Sequence, residues 1–117
     1  MDIPTTAAAF SEQRARLMKI MQRYAGRNMK RFLTLEQQAF ADGALPTKTK
    51  ELLGLVASAA LRCDDCIMFH LLGCREQGVS SAELEKALNV ALVVGGSITI
   101  PHIRRALAAW DELEQGG

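Results

Sequence analysis

Glu51-Leu52-Leu53-Gly54-Leu55-Val56-Ala57-Ser58-Ala59-Ala60-Leu61-Arg62-Cys63-Asp64-Asp65-Cys66-Ile67-Met68-Phe69-His70 is the stretch on which the reading of this chain turns. In its first half, apolar residues at 52, 53, 55, 56, 57, 59, 60 and 61 cover nearly every direction around a helix. The pattern predicts a helix over Thr47 to Leu61 that is buried on most sides. Its second half starts a new helix near Asp64. There Cys63 stands at the N-cap and Cys66 in the first turn, and Ile67, Phe69, His70, Leu71, Leu72 and Cys74 carry the helical spacing on to Gln77, with Gly78 as the stop.

Outward from that stretch the periodicity stays helical. Toward the N-terminus, Pro4, Thr5 and Thr6 open a helix over Ala7–Tyr24, with Phe10, Leu17, Ile20, Met21 and Tyr24 on one face and Glu12, Arg14, Arg16, Lys19 and Arg23 on the other. A second segment, Met29–Ala41, carries Phe32, Leu33, Leu35, Ala39 and Phe40; Asp42-Gly43 breaks it, and Pro46 suits the first turn of the next helix. Toward the C-terminus, Ser80-Ser81-Ala82-Glu83 reads as a capping box opening a helix over Ser81–Val94, with Leu84, Leu88, Ala91 and Leu92 inward. After Gly95-Gly96 a last helix, about Ile98–Glu114, carries Ile103, Leu107, Trp110 and Leu113 before a Gly116-Gly117 tail. No segment alternates as a strand would. The expectation is an all-α compact bundle of about five or six helices, forming a single domain over residues 1–117.

Composition narrows the function. The 49% hydrophobic content suffices for a core, and a net charge of +1, from 14 basic and 13 acidic residues, provides no field for phosphate backbones or anionic lipid. No nucleic acid or membrane partner is expected. The first six residues lack the basic and apolar regions of a secretory signal, and the longest charge-free run, Ala87–Pro101, falls short of the ~20 apolar residues of a spanning helix. A soluble, cytoplasmic protein follows. Three cysteines, an odd number, fit a reducing compartment better than a disulfide framework. Helices apolar on several sides offer more hydrophobic surface than a chain of this size hides, which points to a homo-oligomer.

The cysteines carry the chemistry. A helix N-terminus favours a thiolate at Cys63 or Cys66, and His70, four residues after Cys66 and seven after Cys63, shares their face, so a proton can pass between sulfur and imidazole. Cysteines three apart at a helix start can also close a disulfide. Glu51 lies on the preceding helix beside Leu55, Ser58 and Ala59. It is either a proton acceptor held near the thiols or a first-turn acid solvated beside Lys48 and Lys50. Zinc on Cys63, Cys66, His70 and Cys74 is disfavoured, because Cys66 and Cys74 would stand ~12 Å apart along one helix. Neither metal nor cofactor is expected. Cys74 reads as a buried small residue, His102 as a surface or interface histidine, and Met18, Met21 and Met29 as packing.

Glu51, eleven intervening residues, then Cys63-x-x-Cys66-x-x-x-His70 resembles the signature of the alkylhydroperoxidase D-like branch of the carboxymuconolactone decarboxylase superfamily. Ala41-Asp42-Gly43-Ala44-Leu45-Pro46, Lys48-x-Lys50-Glu51-Leu52 and Gly95-Gly96 are similar to its pattern, and the resemblance covers roughly residues 32–109. It implies an all-α fold assembled into trimers or hexamers and a peroxidase that reduces hydroperoxides through a dithiol/disulfide cycle, drawing electrons from a small thiol reductant. By position it makes Cys66 the thiol that attacks peroxide, Cys63 the resolving thiol, and His70 and Glu51 a proton relay. Where some of the family's peroxidases have another histidine between the cysteines, this chain has Asp64 and Asp65, whose charges oppose thiolate formation; a disulfide reductase or redox sensor tolerates that better. Lactone decarboxylases of the superfamily generally lack the cysteine pair.

Overall fold

A computed structural model describes residues 6–116, so the expectations placed on Met1–Thr5 and Gly117 lie outside the described residues. Six helices follow one another: α1 (Ala7–Tyr24), α2 (Arg27–Ala39), α3 (Thr47–Ala60), α4 (Asp64–Glu76), α5 (Ser81–Gly95) and α6 (Ile100–Gly116), with a 3-10 turn at Ser97–Thr99 before the last. Among the described residues there is no strand.

Local chemistry sets the helix ends. The Ala9 N–H donates to Thr6 Oγ1 at 3.0 Å. At α5 the capping box forms in full: the Glu83 N–H donates to Ser80 Oγ and the Ser80 N–H to Glu83 Oε1. α4 closes in a Schellman turn, with Val79 N–H to the Cys74 carbonyl, Gly78 N–H to the Arg75 carbonyl, and Gly78 at φ 75°. α3 closes in the same way, Cys63 N–H to Ser58 and Arg62 N–H to Ala59, but here Arg62, not glycine, occupies the left-handed position at φ 60°.

The core is centred on α3, α4 and α5. Leu55 and Ala59, Ile67, Leu71 and Cys74, and Leu84, Leu88 and Ala91 are buried, closed on one side by Ala106, Ala109 and Trp110 of α6 and on another by Ala7 and Phe10 of α1. Each fully buried leucine contributes about 1.5–3 kcal/mol. The Trp110 indole N–H donates to Ser81 Oγ at 2.9 Å, which ties α6 to the start of α5.

α3 is buried or half-buried along most of its length, with Leu53 and Ala57 exposed, and Leu61 exposed just after its end. Three expectations are corrected. α2 begins at Arg27 rather than Met29, because the extended Gly26 is its N-cap, and it ends at Ala39 with Phe40 as C-cap. α6 begins after the 3-10 turn, runs on through Gly116, and turns Leu107 outward, so Ala106 and Ala109 take the buried face. Much of α1 beyond Phe10 faces outward, with Ile20, Met21 and Tyr24 exposed, and α2 buries no residue at all. The accessible surface, 7694 Å², accordingly exceeds the roughly 6,300 Å² typical of a monomer of this mass.

Candidate active site

The short turn between α3 and α4 makes them antiparallel neighbours, and their contact builds the site from both sides. Cys63 is C″ of the α3 Schellman turn and at the same time N-cap of α4, so one turn fixes both its backbone and its sulfur. Its Sγ accepts the backbone N–H of Cys66 at 3.3 Å. The Cys66 side chain is exposed, Cys63 is half-buried, and both thiols are free.

One helix over, Glu51 and His70 meet. His70 Nδ1 lies 2.9 Å from Glu51 Oε1, with the two side chains only 14% and 12% exposed. An ionised carboxylate only accepts, so Nδ1 carries the proton and Nε2 is left to take or give another. Two glycines make the approach possible. A Cβ on Gly54 of α3 would fall 2.7–2.9 Å from three atoms of the His70 ring, and a Cβ on Gly73 of α4 would collide with the Glu51 carboxylate. Each helix therefore sets a glycine against the other's acid–base side chain. Sequence reading missed this reciprocity, although its signal was present: each glycine lies three residues after the side chain on its own helix, Glu51 or His70.

Aromatic rings complete the surroundings of His70. Phe40 stacks on the imidazole with centroids 5.2 Å apart, Phe69 meets it edge-on, and the Arg14 guanidinium covers the Phe69 ring at 4.2 Å. Phe40 is held by the loop that follows it: the Thr47 hydroxyl donates to the Phe40 carbonyl at 2.7 Å, the Thr47 N–H to Asp42 Oδ1 at 2.7 Å, and Lys50 Nζ to the Ala41 carbonyl at 2.6 Å. The backbone hydrogen bond from Thr47 holds the Asp42 carboxyl below the usual carboxylate range. Cys66 and His70 both line a cleft of about 310 Å³, walled by Leu17, Met18, Met21, Leu33 and Phe69, with Arg14, Glu36 and Asp65 as its charged groups.

The two aspartates of the motif behave differently. The hydrogen bond with Cys63, then burial, then the charges of Cys63 and Asp65 push the Cys66 thiol up to about 11. Asp64 is drawn the other way, toward α6: His102 Nδ1 lies 2.8 Å from its Oδ1, and Arg105 Nη2 2.9 Å from its Oδ2. Burial raises the Asp64 carboxyl, but the hydrogen bonds from His102 and Arg105 outweigh it and hold the group below its ordinary range. His102, expected as a surface or interface histidine, has a partner within the chain that lies 38 residues earlier, beyond the reach of any periodicity. Cys74 is fully buried, as expected, and burial followed by the Glu51 charge pushes its thiol up to about 12. Glu51, Cys63, Cys66 and His70 are therefore brought to one helix pair, while Cys74 lies behind it in the core.

Comparison with known proteins places the chain in a family. The model of the carboxymuconolactone decarboxylase family matches residues 27–112, from α2 into α6. The chain belongs to the carboxymuconolactone decarboxylase family. All four site residues, with Asp64, His102 and Arg105, fall inside the family match; Arg14 falls outside it. The chain is 34% identical over 83 residues to uncharacterized protein 4 in the cox locus of Paracoccus denitrificans, covering 71% of this chain and 75% of that one. A Thermotoga maritima structure is 49% identical over 92% of this chain and 97% of its own, with TM-score 0.88. A second structure from that organism, at 50% identity, 91% and 90% coverage and TM-score 0.85, is described as a carboxymuconolactone decarboxylase family protein with a suggested part in an antioxidative response. A family member from Legionella pneumophila shares the fold at 28% identity, 91% and 95% coverage and TM-score 0.84.

Proposed function

We propose that the protein is a thiol-dependent hydroperoxide reductase working through Cys63 and Cys66. The observation that carries this reading is the half-buried Glu51–His70 pair beside a cleft that also exposes the Cys66 thiol, with Cys63 in hydrogen-bonding reach of Cys66. The family, and the antioxidative role suggested for the Thermotoga maritima relative, support it.

In this cycle the Cys66 sulfur attacks the peroxide's distal oxygen. The O–O bond breaks, the thiol becomes a sulfenic acid, and the leaving alkoxide takes up the thiol proton by way of His70. Cys63 then attacks the sulfenic sulfur and expels hydroxide, which leaves as water, and a disulfide remains. A small dithiol or other low-molecular-weight thiol restores the pair by exchange. Glu51 holds the His70 tautomer and stabilises the imidazolium when it forms. The working form is a homo-oligomer, a trimer or hexamer, in the cytoplasm. No helix among the described residues is long and apolar enough to cross a membrane.

The elevated Cys66 thiol favours a second reading, a slower disulfide reductase or redox sensor on the same residues. A turnover assay with several hydroperoxides and thiol donors, on the wild type and Cys66→Ser, separates these. Peroxide turnover lost in the variant, together with loss of two of the three free thiols on mild peroxide treatment, supports the peroxidase. Disulfide reduction without peroxide turnover supports the reductase, loss of two thiols to peroxide without turnover with any donor supports the sensor, and neither turnover nor thiol loss sinks both readings.

A further inference from the structure

Asp64 is the residue directly after Cys63 and the first residue of α4, so it adds an acidic side chain to the helix turn that the Cys63 sulfur caps. A carboxylate there opposes negative charge on either thiol. Its hydrogen bonds lead elsewhere. His102 and Arg105, one turn apart on α6, grip its two oxygens separately, at 2.8 and 2.9 Å, and the guanidinium also lies 3.2 Å from His102 Nδ1. His102 is the more sheltered of the two, at 19% exposure against 56% for Arg105. The start of α6 is itself fixed: Thr99 is fully buried, and its hydroxyl donates to the carbonyl of Gly96, whose φ of 84° turns the chain from α5. The clamp is therefore anchored in the core and reaches the motif from outside it. The Asp65 charge contributes to raising the Cys66 thiol, while both Asp64 oxygens are engaged by α6.

We propose that His102 and Arg105 are positioning residues for the dithiol: they hold the Asp64 carboxylate against α6, with the Arg105 guanidinium countering its charge, so that Asp64 does not add to Asp65 in opposing a thiolate at the start of α4. The inference rests on the redox reading of Cys63 and Cys66, but its consequence is thiol ionisation rather than turnover. The titratable and charged groups around the pair are Asp64 and Asp65 on α4, Glu51 and His70 at the α3–α4 contact, and Arg14 and Glu36 across the cleft, with His102 and Arg105 of α6 reaching it through Asp64.

The test follows alkylation of Cys63 and Cys66 by iodoacetamide against pH in the full-length reduced protein, with mass spectrometry reporting each cysteine and circular dichroism reporting helix content. Arg105→Met and His102→Leu should each move the alkylation midpoint of the pair up by about one pH unit, which is about ten-fold slower labelling at neutral pH. Adding Asp64→Asn to either variant should restore the wild-type profile or better, and Arg105→Lys should stay close to wild type. Folded single variants with an unchanged profile, or double variants as slow as the singles, overturn the proposal and leave a purely structural ion pair. Where a single variant fails to fold, Asp64→Asn alone decides: an unchanged or lowered midpoint supports charge cancellation, and a raised one refutes it. Because the profile is read without peroxide, an absence of peroxidase activity with the midpoint still shifted would discard the peroxidase reading and keep the clamp.

Discussion

Gly54 and Gly73 show how closely single residues fix this site. Replacing Gly73 with Ala sets a methyl group where the Glu51 carboxylate lies, and Gly54→Ala presses on the His70 ring. Each should lower stability by about 1–3 kcal/mol through overpacking. Each should also reduce turnover at least ten-fold, since acid–base assistance is worth about 10²–10⁴-fold; urea denaturation and steady-state kinetics measure the two effects separately. Cys74 gives a pH prediction. Its folded value, near 12, stands above the ordinary thiol value, so its neutral form is favoured by the fold. That stability is complete below about pH 8.5 and is lost as pH rises toward 12, where the unfolded chain releases a proton that the folded one retains. Urea midpoints for the wild type should fall across this range, and Cys74→Ala should fall less steeply. In native protein, Cys74 should resist iodoacetamide until the chain unfolds. Cys63, Cys66 and His70 were legible as one helix face because C-x-x-C and a histidine one turn on are local patterns, whereas spacing left Glu51 open and only the family resemblance gave it a role. The glycines and the His102–Asp64 contact were not, because both depend on which helix lies alongside.

At the scale of elements, the turn between α3 and α4 carries the strain. Arg62 adopts φ 60°, where a β-carbon costs roughly 1–2 kcal/mol, in a turn identical in hydrogen bonding to the one that Gly78 closes after α4. Arg62→Gly should therefore raise unfolding stability by up to about 1 kcal/mol in urea titration while leaving the helix content of the circular dichroism spectrum unchanged. Helix identities and most boundaries followed from periodicity and caps: α1 and the starts of α3, α4 and α5 lie where spacing put them. Facing did not follow. Leu53 and Leu107 satisfy an apolar stripe as well as their buried neighbours do, and only the placement of α4, α5 and α6 decides which of them finds a partner. α2 is the clearest case: its stripe is regular, yet in the single chain Leu33 alone of its large apolar residues meets the cleft and no residue of the helix is fully buried.

For the whole molecule, that uncovered stripe is the main feature to account for. Phe32 and Leu35 on α2 are about 60% exposed, and Val93, Val94 and Ile98 form a second apolar stretch where α5 meets α6. Contiguous apolar surface of this kind marks association, so sedimentation should give a mass that is a multiple of 12.8 kDa. A double Phe32→Ser, Leu35→Ser variant should shift the protein toward monomer with little loss of monomer helix content, since neither side chain is buried in the chain itself. A wild-type monomer at micromolar concentration would refute the assembly. The all-helical architecture was readable from the sequence; the excess surface was only hinted at, because periodicity counts apolar residues without saying how many a fold can shelter.

The paired glycines also act as a key cut for one position. Sliding α4 past α3 by a turn, about 5.4 Å, would drive the Glu51 and His70 side chains against residues that bear a Cβ, so the acid and the imidazole meet in a single helix alignment only. Proton handling at this centre is thereby made an all-or-none property: a loosened, still helical globule would keep its cysteines and lose the means to use them.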